Sequence, residues 1–136
     1  MSGVAEIAEP IRQGGWHLRR EGAVLLLSRR WPARFDLAAA TVLHLNGGPV
    51  GRARLAHQIR QDIWRGLQGL RGFWPVVRIE RGCDVIHVRA GGGFEGRVTV
   101  AARSRAEAVV EAILADPAHR ARWLRHAAAG IREARI

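Results

Sequence analysis

Lysine and tyrosine are both absent from this 136-residue chain, which carries one cysteine, one methionine and one asparagine. With Cys83 alone, no internal disulfide can form and no cysteine cage for zinc can be built, which suits a reducing compartment. Long apolar runs are missing too. The longest aliphatic stretch is 23–27, far short of the roughly twenty residues a membrane-spanning helix needs. The first residues carry Glu6 and Glu9 and no early arginine, the wrong charge for a secretory leader. A cytoplasmic protein with no membrane span is therefore expected.

What is present is arginine. Twenty-two basic residues, all arginine, stand against twelve acidic ones, for a net charge of +10. A GC-rich coding bias raises arginine, alanine and glycine together and accounts for part of this. It does not unbalance arginine against aspartate and glutamate, whose codons are GC-neutral. A field of this sign attracts polyanions: nucleic acid, an acidic protein or an anionic surface. With 48% hydrophobic and 25% charged residues the composition is that of a globular domain, and the length suits one domain.

Residues 1–13 read as a flexible leader, 14–130 as the domain and 131–136 as a basic tail. Trp16 to Arg19 and Ala23 to Ser28 form two strands around a turn ending in Gly22, and the nearly all-apolar second strand belongs inside a sheet. Trp31-Pro32 ends it. Residues 33–46 fit either a short helix capped near Asp36 or a strand. Asn46-Gly47-Gly48-Pro49 is a turn.

A helix follows over about 52–70. Leu55, Ile59, Ile63, Leu67 and Leu70 make one apolar stripe, opposite Arg54, His57, Gln61, Arg65 and Gln68, with Trp64 and Arg71 at the margin. Pro75 to Arg81 and Asp84 to Ala90 alternate as a hairpin, turning at Gly82-Cys83. After the glycine run 91–93, Arg97 to Val100 suggests a short strand. Ser104 with Glu107 forms a capping box for a helix burying Ala106, Val109, Val110, Ile113 and Leu114. Asp116-Pro117 starts the last helix, with Trp123, Leu124 and Ala127 inward and Gly130 as its end. The order ββ-α-ββ-αα predicts an α+β fold: an antiparallel sheet from two hairpins, covered on one face by helices and free on the other.

No catalytic constellation emerges. Cys83 and His87 lie about 13 Å apart along an extended strand, too far for a nucleophile and its base. His119 and His126 are two helical turns, about 10 Å, apart, whereas zinc-binding pairs sit one turn apart. Gly91, Gly93 and Gly96 match G-x-G-x-x-G, but that fingerprint needs a helix to begin there, and a strand pattern follows. No metal, cofactor or enzymatic activity is expected. Asp84 and His87 are the least unsuitable acid–base candidates.

The basic, amide-rich outer face of helix 52–70 is the first candidate surface: Arg52, Arg54, Arg60, Gln61, Arg65 and Arg71 for phosphates, Trp64 for stacking on an unpaired base. The glycine-rich turn before it brings helix N–H groups and Arg52 to a place where an anion could sit. Arg78 and Arg89 of the hairpin extend the surface. Arg120, Arg122 and Arg125 belong to a second basic segment, 117–136, which holds five arginines against Glu133. Two readings follow. One is a non-enzymatic protein binding DNA or RNA through backbone phosphates. The other is an assembly subunit binding an acidic protein, or a second copy of itself, through the free sheet face or terminal helix.

Overall fold

A computed structural model describes residues 11–135, apart from the side chains of Gln13 and of residues 129–135. Nine elements follow in order: β1 (Ile11–Gln13), β2 (Trp16–Glu21), β3 (Val24–Ser28), β4 (Leu37–His44), α1 (Arg52–Leu67), β5 (Phe73–Arg81), β6 (Val85–Phe94), α2 (Val100–Ala115) and α3 (Pro117–Arg135). The strands form one six-stranded sheet in the order β1-β2-β3-β5-β6-β4, and every pairing is antiparallel. Three helices pack on it, as the α+β expectation required.

The stripe on α1 decides which way the helix faces. Leu55, Ile59, Ile63 and Leu67 are buried in one core with Leu25 and Leu27 of β3, Val77 and Ile79 of β5 and Val88 and Ala90 of β6. These strand residues alternate because successive side chains point to opposite faces of a pleated strand. α2 adds Ala106, Val110 and Leu114, and α3 adds the fully buried Trp123 and Ala127. Asp116 caps α3 as its sequence suggests, its Oδ1 accepting the Ala118 N–H at 2.9 Å.

Several elements depart from the sequence reading. Residues Ile11–Gln13, placed in the leader, pair with β2 as an edge strand; 1–10 lie outside the described residues. The ambiguous segment is the edge strand β4, with Leu37 and Leu43 buried on the helix side. Its pairing explains the choice: Leu37 lies opposite Gly92 and Ala38 opposite Gly91. The glycine run is no loose connection but the buried second half of β6. A Cβ on Gly91 would lie 2.2 Å from the Leu37 carbonyl oxygen, one on Gly92 1.9 Å from that of Trp74, and one on Gly93 2.5 Å from the Trp74 ring. Side chains are excluded there so that both neighbouring strands and an indole can approach.

No strand forms at 97–100. Thr99 caps α2 instead of Ser104, its Oγ1 accepting the Ala102 N–H at 3.0 Å. Ser104 lies inside the helix, and Glu107 accepts the edge N–H of Ala38 at 3.4 Å. Val109 is 36% exposed rather than core. The 81–86 turn centres on Cys83-Asp84, with Asp84 at φ 58° and the Gly82 N–H bonded to Val85 O at 2.9 Å. The Asp84 carboxylate accepts the Gly47 N–H at 2.8 Å, tying this turn to the loop before α1. α3 runs on through Gly130 to Arg135. One glycine weakens a helix by about 1 kcal/mol, which need not end it.

Candidate functional site

The predicted surface residues do not share one face. Arg78 and Arg89 stand opposite each other on the sheet face away from the helices; Arg78 pairs with Glu80 at 3.0 Å and Arg89 covers the Phe35 ring at 5.0 Å. A shallow groove of about 360 Å³ runs beside them, over Ala40 and Val42. Arg120 is part of the fold: its guanidinium donates to Thr41 Oγ1 at 2.8 Å, Leu114 O at 2.9 Å and Val42 O at 2.6 Å. Arg122 pairs with Asp62, a buried acid of α1 that also accepts the Trp123 Nε1–H at 2.7 Å. Arg65 lies 3.5 Å from the same carboxylate. Arg54, Arg71 and Arg125 are exposed and Gln61 is half-buried.

Arg60 and Trp64 do come together, on the wall of one cavity, and Arg52 lies eight residues back along α1, at the far end of the crease between α1 and β2. At one end of this crease the Arg52 Nη1 donates to Gly22 O at 3.1 Å. Burial lowers the pKa of Arg52, and the nearby guanidiniums of Arg81 and Arg20 lower it further. At the other end Trp16, half-buried at the start of β2, has the Arg60 guanidinium 4.6 Å and that of Arg29 5.4 Å from its ring centroid. Burial and then Arg29 lower the pKa of Arg60. Gly15, at φ 84°, makes room for Arg29, since a Cβ there would lie 2.6 Å from its Nη1.

Between the two ends His57 meets Trp16 edge-on at 6.1 Å and accepts the Arg60 Nε–H on Nδ1 at 3.3 Å. Burial, then Arg60, holds His57 below its ordinary pKa of 6.5, in the neutral form that can accept this bond. Among the described residues, none of Arg20, Arg29, Arg52, Arg60 and Arg81 forms an ion pair with a carboxylate.

At the Trp16 end the crease opens into a cavity of about 480 Å³, walled by Trp16, Arg29, Arg30, Arg60, Trp64, Phe73, Trp74 and Pro75. The Trp74 ring lies over Gly93, its cross-strand partner, on the sheet face away from the helices, where Arg30 and Arg34 cover it at 4.7 and 5.2 Å. Its Nε1 is buried and has no hydrogen-bond partner among the described residues. Arg30 also pairs with Glu95. Trp64 stacks on Phe73, centroids 6.4 Å apart and planes 12° apart, and is 42% exposed.

Sequence reasoning found Arg60 and Trp64 but not Trp16, Arg29, Arg30, Phe73 or Trp74. Arg29-Arg30 beside Trp31 carried a local signal. The convergence of the α1 flank, the end of β3 and the start of β5 carried none. Among the described residues no group of histidine, cysteine, aspartate and glutamate could hold a metal ion, and no helix is long and apolar enough to cross a membrane. Compared with family models, curated proteins and solved structures, the chain has no significant match.

Proposed function

We propose that this chain is a non-enzymatic nucleic-acid-binding domain that holds backbone phosphates along the crease between α1 and β2. One observation carries the reading: two groups of guanidiniums, Arg20 with Arg52 and Arg81, and Arg29 with Arg60, stand towards the two ends of β2 beside α1, and among the described residues none of them has a carboxylate partner. Like charges held together and partly desolvated cost free energy in the free protein. A polyanion laid along the groove removes that cost and releases its own counterions. Arg20 and Trp16, four residues apart on β2, are about 13 Å apart, so the ligand must carry repeated negative charge rather than a single anion. This moves the site from the outermost face of α1 to its flank, keeping Arg52, Arg60 and Trp64 and adding Arg20, Arg29 and Arg81.

The test neutralises the crease without reversing it. Arg29→Gln with Arg60→Gln is compared with Arg97→Gln and Arg105→Gln, exposed positions on and before α2, by fluorescence anisotropy of a labelled oligonucleotide. The crease pair should weaken binding about tenfold or more, each lost charge-assisted contact removing 1 kcal/mol or more, and the control pair by much less. Equal losses from both pairs would mean that net charge, not this groove, holds the ligand.

A further inference from the structure

Phosphate recognition explains the guanidiniums of the cavity but not its flat apolar walls. We infer that the cavity takes one unpaired nucleobase of a single strand, with the adjoining phosphate on Arg29 and Arg60; this rests on the nucleic-acid reading above and names the form of nucleic acid bound. Trp64 has one indole face on Phe73 and is 42% exposed, which leaves the opposite face for a planar ring. Pre-stacking on Phe73 fixes that indole before the ligand arrives, so little side-chain freedom is lost on binding.

Size and polarity agree. The cavity, about 480 Å³, lies in the range of sites for whole small molecules, and a phosphate alone would leave most of it to water. No lining residue is acidic, so nothing in the wall repels the phosphate on the same nucleotide. A duplex keeps both faces of each base inside its stack and must unstack one to fill the cavity, which selects for single strands.

The experiment uses the full chain and three labelled probes of equal length, about 15 nucleotides, near the upper site size of single-strand modules. They are oligothymidine, an abasic strand of the same charge, and a duplex. The base-bearing strand should bind about tenfold more tightly than the abasic strand. Trp64→Ala should bring it down to the abasic level, and Trp64→Phe, which keeps a stacking face, should restore most of the difference. Duplex affinity should not respond to either change. Equal binding of the base-bearing and abasic strands would overturn the inference while leaving phosphate recognition in place. Failure of every probe to bind at low salt would overturn the nucleic-acid reading together with it. A free nucleoside monophosphate that binds as tightly as the strand would assign the cavity to a small molecule instead, and would likewise overturn it.

Discussion

Asp62→Ala is the substitution that most tests how the helical layer is held. Asp62 is 6% exposed on α1, and its carboxylate accepts from the fully buried Trp123 and from Arg122, joining α1 to α3. Alanine leaves the indole N–H buried without an acceptor, a loss of about 1–3 kcal/mol. The Arg122 side chain is 34% exposed and can rehydrate, so its contribution is about 1 kcal/mol at most. Arg65, 69% exposed, adds less. Relief of the carboxylate's own desolvation offsets part of this. The net expectation is about 2–3 kcal/mol, below the 3–5 found when a pair buried on both sides is broken. Asp62→Asn keeps an acceptor for Trp123 and should cost about 1 kcal/mol. Urea unfolding followed by far-ultraviolet circular dichroism reads both, and a cycle with Trp123→Phe should show coupling of about 1–2 kcal/mol. An alanine variant within about 0.5 kcal/mol of the parent, an ordinary surface effect, would refute the reasoning.

Gly92→Ala should destabilise the sheet by at least the 1–3 kcal/mol typical of overpacking, because its Cβ meets the Trp74 carbonyl at 1.9 Å, whereas Gly69→Ala, with nothing within 4 Å, should be neutral or slightly stabilising; thermal melts compare them. His57, held below 6.5 by burial and Arg60, takes up its proton later in the folded chain than in the unfolded one, so stability should fall as pH drops from about 6.5 through the lower folded value. His57→Gln should flatten that slope, and a titration of the imidazole by nuclear magnetic resonance should place its pKa below 6.5. Arg120→Ala removes three hydrogen bonds, two of them to edge strand β4. It should cost about 2–3 kcal/mol and raise self-association on light scattering, since an uncovered edge pairs with other chains.

The parts legible in the sequence were those whose side-chain period matched one element and one environment. The α1 stripe, the β5–β6 alternation and the Asp116-Pro117 start each state their own structure locally. β4 did not, because Ala38-Ala39-Ala40 carries no periodic signal and the strand is selected by what it lies against, the side-chain-free stretch of β6. The same glycines carry no side-chain pattern of their own, and the approach of Leu37 and Trp74 from both sides shows why they lack side chains. The basic face of α1 was visible as a stripe, but which of its arginines meet other arginines depends on tertiary packing. Arg120 and Arg122 illustrate this: equal in sequence to any other cation of the terminal segment, they are engaged inside the fold. Trp16 and Trp74 come from two separate strands and Arg29 from the residue after a third, so no spacing rule could join them to Arg60.

The most direct test of the account is the salt dependence of single-strand binding. Each phosphate contact contributes a slope of about −0.7 in log K against log salt, so one contact for each of the five arginines of the crease predicts about −3.5. Arg29→Gln with Arg60→Gln should reduce that slope by about 1.4. A flat slope for the parent chain, or a steep one that the two substitutions leave unchanged, would contradict binding through the crease.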